Sequence, residues 1–599
     1  MTTPATVHIC RHLKLVLFVA VALAGTWVKG QTVLSGTYST PGSNSGSYII
    51  NASTTATFTS GYTFQATTNL TLGNYATLNW NQNGTLAGTT IASGSTAYAY
   101  FNVGSGYSLT LDSASLLTGY LNLSGTTGST IINNGTITQN GGTSYGYISS
   151  PTFTNNGTIS ATSGTNLTIG YYYYYTGTTN GSTGVITANG ATVQLVNLLN
   201  QGQLNATSSG ILEFEGGSNL VSNLGNVVLS SGGRALLQGI FDNTGTTLTA
   251  PTGGTYELYG GTINNGTIAA GALTFTNYGG TIAGATLQAP VTLPASTSVT
   301  LSSDTVTGDI NLGNSSTLTL NNTLSSNTAI PAGANVNLGN YSTLNWNQIG
   351  TLTGNTITSG STSGIYGYLQ VGYNDALTLD LNTTLTGDVY LAGTTGSTIN
   401  NYGTITQNSG TGYLYAPVFN NYHIITANSS LNVGYYYNTG FTNEAIGTIT
   451  ANGSGTTVAM NNIVNLGTLT ATNSGILEFT GSTNLISNLG TVILTSGGQA
   501  LLNGTFDNTG TTLTAPTGGT YGLYGGTINN GTIAAGALTF TNYGGTIAGA
   551  TLLDSLLTLP ASTSVTLSND TLSGNISLGS SANLTLTAGT FFPGTTLVT

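Results

Sequence analysis

Charge is nearly absent from this chain. Only 3% of its 599 residues are charged, and just four are Lys or Arg, where ordinary domains carry roughly a quarter. The balance is acidic, −11 overall. Three of the four cations, Arg11, Lys14 and Lys29, lie within the first thirty residues, so Arg234 is the only one beyond them. Nucleic acid is bound by Lys and Arg that replace counterions along phosphates, so that class of partner is excluded. A polybasic membrane patch is excluded on the same ground. Cysteine is limited to Cys10, which rules out a disulfide-rich scaffold. Lys, Arg and Glu are too scarce, and β-branched Thr too common, for long helices. Beyond the N-terminus no run is long and apolar enough to cross a bilayer, which takes about 20 residues.

Gly, Thr, Ser and Asn dominate instead, with apolar residues at regular intervals. That regularity, with scarce Pro, argues against disorder. The chain also repeats itself. Phe241 to Leu287 recurs as Phe506 to Leu552, a 47-residue stretch in which only Glu257 changes, to Gly522. Leu72-Gly-Asn-Tyr75 returns as Leu338-Gly-Asn-Tyr341. Two long copies of about 265 residues follow, and fixed-period similarity marks a repeat architecture. A shorter period lies inside: Asn133-Asn-Gly-Thr-Ile137, Asn155-Asn-Gly-Thr-Ile159, and related signals at Asn223, Asn243 and Asn264. Asn-Gly supplies a turn with positive φ, and Thr-Ile then opens a short strand. Runs such as Thr317-Leu-Thr-Leu-Asn321 alternate polar with apolar, one face in and one out. About 21 residues per round fits the coil of a parallel β-solenoid. The expected fold is all-β, an elongated right-handed parallel β-helix of roughly 25 coils.

The domain reading is a signal peptide over 1–30, a leading or cap segment over 31–60, a first β-helix copy over 61–330 and a second over 331–599. The leader has a basic start (Arg11, His12, Lys14), the apolar run Leu15 to Ala24, and cleavage positions after Ala24 or Gly30. The alternative is an N-terminal membrane anchor.

Tandem Asn-Asn-Gly-Thr-Ile coils, a signal peptide, missing cysteine and scarce lysine resemble the β-helix repeats of bacterial autotransporter passengers and filamentous-haemagglutinin-like surface adhesins. The resemblance covers residues 60 to 599. It implies an extracellular, rod-shaped surface protein, often an adhesin, whose partners are glycans or the surface of a host or neighbouring cell. The chain departs from the autotransporter pattern in having no C-terminal β-barrel. It ends one motif short of a third Leu-Gly-Asn-Tyr copy, so the expectation is an incomplete chain or an unusual attachment route. An uncapped last coil implies end-to-end self-association.

β-Helices also host polysaccharide lyases and hydrolases, which makes an enzyme the main rival. A lyase base would have to be Arg234, whose counterpart is Gln499. A hydrolase needs two carboxylates roughly 5 to 10 Å apart. The acids kept in both copies are Asp112 with Asp380, Glu213 with Glu478, Asp242 with Asp507, and Asp304 with Asp570. Their spacings do not match neighbouring coils, and they read as exposed, solubilising groups. Glu213 and Glu215 share a strand face, but Thr480 stands where Glu215 would recur. His423 is the only histidine past the leader. No catalytic residue, no metal site and no cofactor is assigned, and the chain is read as non-enzymatic.

The binding candidates are tyrosines. Tyr171 to Tyr175 form an unbroken run, echoed by Tyr435 to Tyr437. On a strand Tyr171, Tyr173 and Tyr175 face one way, as do Tyr435 and Tyr437. They make an aromatic strip for sugar rings, or else simply stack on neighbouring coils. Trp80 and Trp346 mark one equivalent coil per copy, and the turn asparagines read as stacked ladders rather than ligands. A minor alternative is ice binding, which needs Thr-x-Thr in register on many coils. Thr448-Ile-Thr450 and Thr468-Leu-Thr470 fit, but Thr491-Val-Ile493 breaks the array, and Thr136-Ile-Thr138 and Thr317-Leu-Thr319 stand alone.

Overall fold

Each coil is built from three short strands separated by turns. The computed structural model describes residues 31–39, 43–44, 46–59, 61–94, 96–142, 145–170, 177–322, 327–360, 364–434, 440–591 and 596–598. It is all-β, with parallel strands stacked as a β-solenoid of about 24 turns at about 22-residue spacing. Among the described residues the helical segments are two short 3-10 turns, Val221–Asn223 and Ile486–Leu489. No described helix is long and apolar enough to cross a membrane. The chain packs as two compact units. One runs to Glu215 and takes in Asn223–Ala235; the other holds Gly216–Ser222 and Leu236 onward.

In the first unit, three faces recur. Asn69–Leu72, Thr77–Asn81 and Gly84–Leu86 make one coil, and Thr90–Ser93 begins the next directly above Asn69–Leu72. Alternation places every second side chain inside. Leu70, Ile91, Leu117, Ile137 and Ile159 stack in register as one buried column. Trp80 is fully buried and donates through Nε1 to Ser108 O at 3.3 Å.

The second unit repeats this plan. Its longest sheet has 16 strands, from Asn219–Leu220 to Leu538–Phe540. Leu344, Leu369, Leu391, Leu414 and Val433 form a continuous inward column on it. Trp346 is buried and donates to Ala376 O at 3.0 Å. The long repeat is out of step with the coil in this unit. Phe241 sits in Ile240–Asp242 on the 16-stranded sheet, whereas its counterpart Phe506 sits in Thr505–Asp507 on a 9-stranded sheet. The 16-stranded sheet instead carries Tyr521–Leu523 there. The sequence period is therefore not a whole number of coils, and equivalent residues of the near-identical block lie on different faces.

The asparagine ladder is the main polar device. Asn133 Nδ2 donates to Asn155 Oδ1, Asn155 Nδ2 to Asn180 Oδ1, and Asn180 Nδ2 to Asn200 Oδ1, each at 2.7 Å. The second copy repeats it through Asn401, Asn421, Asn443 and Asn465. All eight side chains are buried. Each ladder ends on a backbone carbonyl near its 3-10 turn, Leu224 O at 2.8 Å and Leu489 O at 2.7 Å. Buried amides satisfied in this way avoid the cost of an unmade hydrogen bond.

The Asn-Gly motif serves two purposes, where the sequence suggested one. Asn265 and Gly266 do take positive φ, 64° and 66°. Gly157 does not. A Cβ there would stand 2.1 Å from Gly135 O, so glycine is required because the neighbouring coil passes so close.

Candidate functional site

The tyrosines singled out from sequence, Tyr171, Tyr173, Tyr175, Tyr435 and Tyr437, lie outside the described residues. A different aromatic cluster is built on the 16-stranded sheet. The strands Gly367–Val371, Val389–Gly393 and Gly412–Tyr415 follow one another there. Their registers place Tyr368 opposite Tyr390 and Tyr390 opposite Tyr413. Because Leu369, Leu391 and Leu414 point inward, the tyrosines between them point out. Ring centroids are 4.7 Å apart for Tyr368 and Tyr390, and 5.5 Å for Tyr390 and Tyr413. Tyr366 leans against Tyr390 and Tyr413 at 5.5 and 5.8 Å. The hydroxyls of Tyr390 and Tyr415 are hydrogen-bonded at 2.6 Å.

All five tyrosines are half-buried. Partial burial, then the neighbouring Tyr413 and Asp388, push the Tyr366 phenol up to about 12. Burial and the adjacent Tyr390 and Tyr341 also raise Tyr368. The cluster is thus a patch of rings packed edge to face, with interplanar angles of 69° between Tyr368 and Tyr390 and 49° between Tyr390 and Tyr413. It connects through Asn340 and Tyr341, whose N–H donates to Tyr366 O at 2.7 Å, to a groove of about 350 Å³ lined by Asn311, Asn314, Asn337 and Asn340. Asn337 Nδ2 donates to Asn311 Oδ1 at 2.7 Å. Aromatic rings and hydroxyls beside amides suit a ligand that combines small apolar surfaces with many hydroxyls.

The first copy keeps only part of this cluster. Tyr98 packs with Tyr100 at 5.7 Å and Tyr120 at 4.9 Å, but Asn122, opposite Tyr100 in register, stands where Tyr390 would recur. The signal missed in the sequence was tyrosine returning after 22 and then 23 residues on outward positions, less conspicuous than an unbroken run.

The retained acids act as clips between coils. Asp112 accepts from Gly88 N at 2.9 Å and Ser115 Oγ at 2.7 Å. Asp380 accepts from Gly354 N and Thr383 Oγ1 at the same distances. For both, burial raises the pKa, but the hydrogen bonds outweigh it and hold the carboxyl below its usual value. Asp242 and Asp507 each accept from the hydroxyl and N–H of the threonine two residues on. Asp304 and Asp570 correct the expectation of exposure. Both are buried and accept from two backbone N–H groups of adjacent segments. Burial pushes Asp304 up to about 7, partly offset by those bonds, and raises Asp570.

The structure does join Glu213 and Glu215. Gln194 Nε2 donates to both, at 3.0 and 3.1 Å, and Thr168 Oγ1 donates to Gln194 Oε1 at 2.8 Å. Burial raises the Glu215 pKa. In the second copy Ala459 lies opposite Glu478, Thr480 replaces Glu215, and Glu478 accepts from Asn503 at 2.5 Å. Arg234 and Gln499 each open a strand, at Arg234–Leu237 and Gln499–Leu502. His423 contributes its backbone carbonyl to Asn421 Nδ2 at 3.3 Å and to Thr448 N–H at 2.6 Å.

No protein-family description matches the chain, and no curated protein matches it. The fold by itself defines a β-helix repeat protein.

Proposed function

We propose that this is a secreted or surface-displayed, non-enzymatic repeat protein, adhesin-like in the manner of the autotransporter and filamentous-haemagglutinin passengers it resembles, and that it holds neutral glycans against its side. The observation that carries this reading is the in-register ladder of Tyr368, Tyr390 and Tyr413. Successive coils rise about 4.8 Å, comparable to one sugar ring, so the patch offers aromatic edges, faces and hydroxyls at consecutive positions along the coil axis. The near-absence of Lys and Arg favours neutral over anionic glycans, because nothing would offset the charge of the latter. Of the acids shared by both copies, Asp112 and Asp380, Asp242 and Asp507, and Asp304 and Asp570 are held by backbone N–H groups, which supports a binding role over catalysis. The leader-like N-terminus supports export.

The test is titration of the full chain with a soluble β-linked glucan, beside the Tyr390→Asn variant, which imitates Asn122 of the first copy. Binding by the parent and about two- to tenfold weaker binding by the variant are expected, since each aromatic ring contact contributes about 0.5–1.5 kcal/mol. Equal affinity in both proteins would remove the tyrosine ladder from the account.

A further inference from the structure

The second unit carries a regular grid of threonines that its sequence spacing conceals. On a ten-stranded sheet of this unit that runs from Val291–Leu293 to Thr491–Leu494, Thr356-Ile-Thr358, Thr384-Leu-Thr386, Thr404-Ile-Thr406, Ile424-Ile-Thr426, Thr448-Ile-Thr450, Thr468-Leu-Thr470 and Thr491-Val-Ile493 occupy seven consecutive strands in unbroken register. The central residue of each is buried, so the flanking pair faces out. Twelve of these fourteen outward positions are Thr. The break at Ile493 stands, but the array continues upstream of Thr448. The steps from Thr356 to Thr384, Thr404, Ile424, Thr448 and Thr468 are 28, 20, 20, 24 and 20 residues. Loops of varying length absorb the difference while the ladder keeps the strands aligned.

Geometry makes this face a regular lattice. Adjacent strands lie about 4.8 Å apart, and outward residues two apart on one strand about 6.6 Å. Among the described residues only the Thr386 hydroxyl is engaged by another side chain, accepting from Asn408 Nδ2 at 2.8 Å. The other hydroxyls are free to bind water. An amide ladder borders the grid, with Asn428 donating to Asn408 at 3.1 Å, Asn452 to Asn428 at 2.8 Å and Asn473 to Asn452 at 2.9 Å. That ladder ties the edges of successive coils together. No Asp, Glu, Lys, Arg or His occupies an outward grid position.

The first copy offers a comparison. Its corresponding strands have Thr at only six of the fourteen outward positions. Leu116, Val185, Gln203 and Asn205 stand there where the second copy has Thr384, Thr448, Thr468 and Thr470. The inward residues are β-branched or Leu in both copies. A purely structural demand for strand-forming residues is met by both copies. Only the second has hydroxyl and methyl groups at nearly every lattice point.

We propose that this threonine face binds ice. The methyl groups hold water in cage-like order and the hydroxyls anchor it, so that first-layer waters adopt the spacing of an ice plane and join the crystal. Curved or charged surfaces disrupt such order; this one is neutral and has a two-dimensional repeat set by the backbone ladder itself.

The test uses the full chain in three forms. Thr406→Tyr places a bulky ring at the centre of the grid, and Thr398→Tyr does the same on the strand Thr398–Asn401 of a different sheet. Circular dichroism melts establish that all three are folded. Thermal hysteresis and partition into a slowly grown ice hemisphere are then measured. The parent and Thr398→Tyr are expected to show hysteresis and enter the ice, and Thr406→Tyr to lose most of both. A folded parent excluded from ice, or a Thr406→Tyr protein as active as the parent, would overturn the proposal. So would a grid that proved to bind crystalline polysaccharide in a Thr406-dependent way while leaving ice growth unchanged.

Discussion

Asn155 Nδ2 donates to Asn180 Oδ1 at 2.7 Å, and neither side chain has any exposed surface. That single bond joins two coils inside the protein, where water cannot replace it. Asn155 also accepts from Asn133. Asn155→Ala would leave the Asn133 amide and the Asn180 carbonyl without these partners. At about 1–3 kcal/mol for each buried polar group left unpaired, the variant should lose about 2–6 kcal/mol. Asn421→Ala, in the equivalent place of the second copy, should behave alike. Urea denaturation of each variant measures this, and a loss below about 1 kcal/mol would show that the ladder is dispensable.

Close approach should matter more than backbone conformation at the glycines. Gly164 has φ +80° with nothing within 4 Å of the place a Cβ would take, whereas at Gly157 an added Cβ would meet Gly135 O at 2.1 Å. Gly164→Ala should cost about 1–2 kcal/mol for its left-handed backbone. Gly157→Ala should cost distinctly more, because a neighbouring coil must shift. Melting temperatures of the two variants decide the order.

Buried Asp304 gives the stability a definite pH dependence. Its folded pKa, about 7, is raised above the unfolded value near 3.9. The native state therefore keeps a proton that the unfolded chain releases, and stability falls as pH rises from about 4 to about 7. The raised Asp570 acts in the same direction. Asp112 and Asp380, held low by hydrogen bonds, add stability that is lost only as pH drops below about 4. Unfolding free energies measured from pH 4 to 8 should slope downward, and Asp304→Asn should flatten the slope. A rising profile would contradict this assignment.

Much of the fold was legible in the sequence. The alternation in Thr317–Asn321, the recurring Asn-Gly-Thr pattern and the paired Trp80 and Trp346 all led to stacked coils with one apolar side. The asparagine ladder was legible too, since Asn133 and Asn155 recur near the coil period. What escaped was anything that depends on which residues share a register. Loop length varies from coil to coil, so Thr384 and Thr404 stand 20 residues apart while Thr356 and Thr384 stand 28 apart, and a fixed period misses the grid. Asp304 looked exposed because burial of an acid depends on two N–H groups of its surroundings, Ala285 and Ser302, that no local pattern announces. The Tyr368 ladder was hidden for the same reason as the grid.

Catalysis and binding make opposite predictions at Glu213 and Glu215. These carboxylates share Gln194 but recur only in part in the second copy. Glu213→Gln and Glu215→Gln proteins should bind glycans as the parent does.

The most direct measurement is to expose the full chain to an array of neutral and anionic polysaccharides and to analyse both the retained glycans and the supernatant. The account predicts retention of neutral glycans, weakened by Tyr390→Asn, with no new reducing or unsaturated ends released. Release of such ends, abolished by Glu213→Gln or Glu215→Gln, would contradict it.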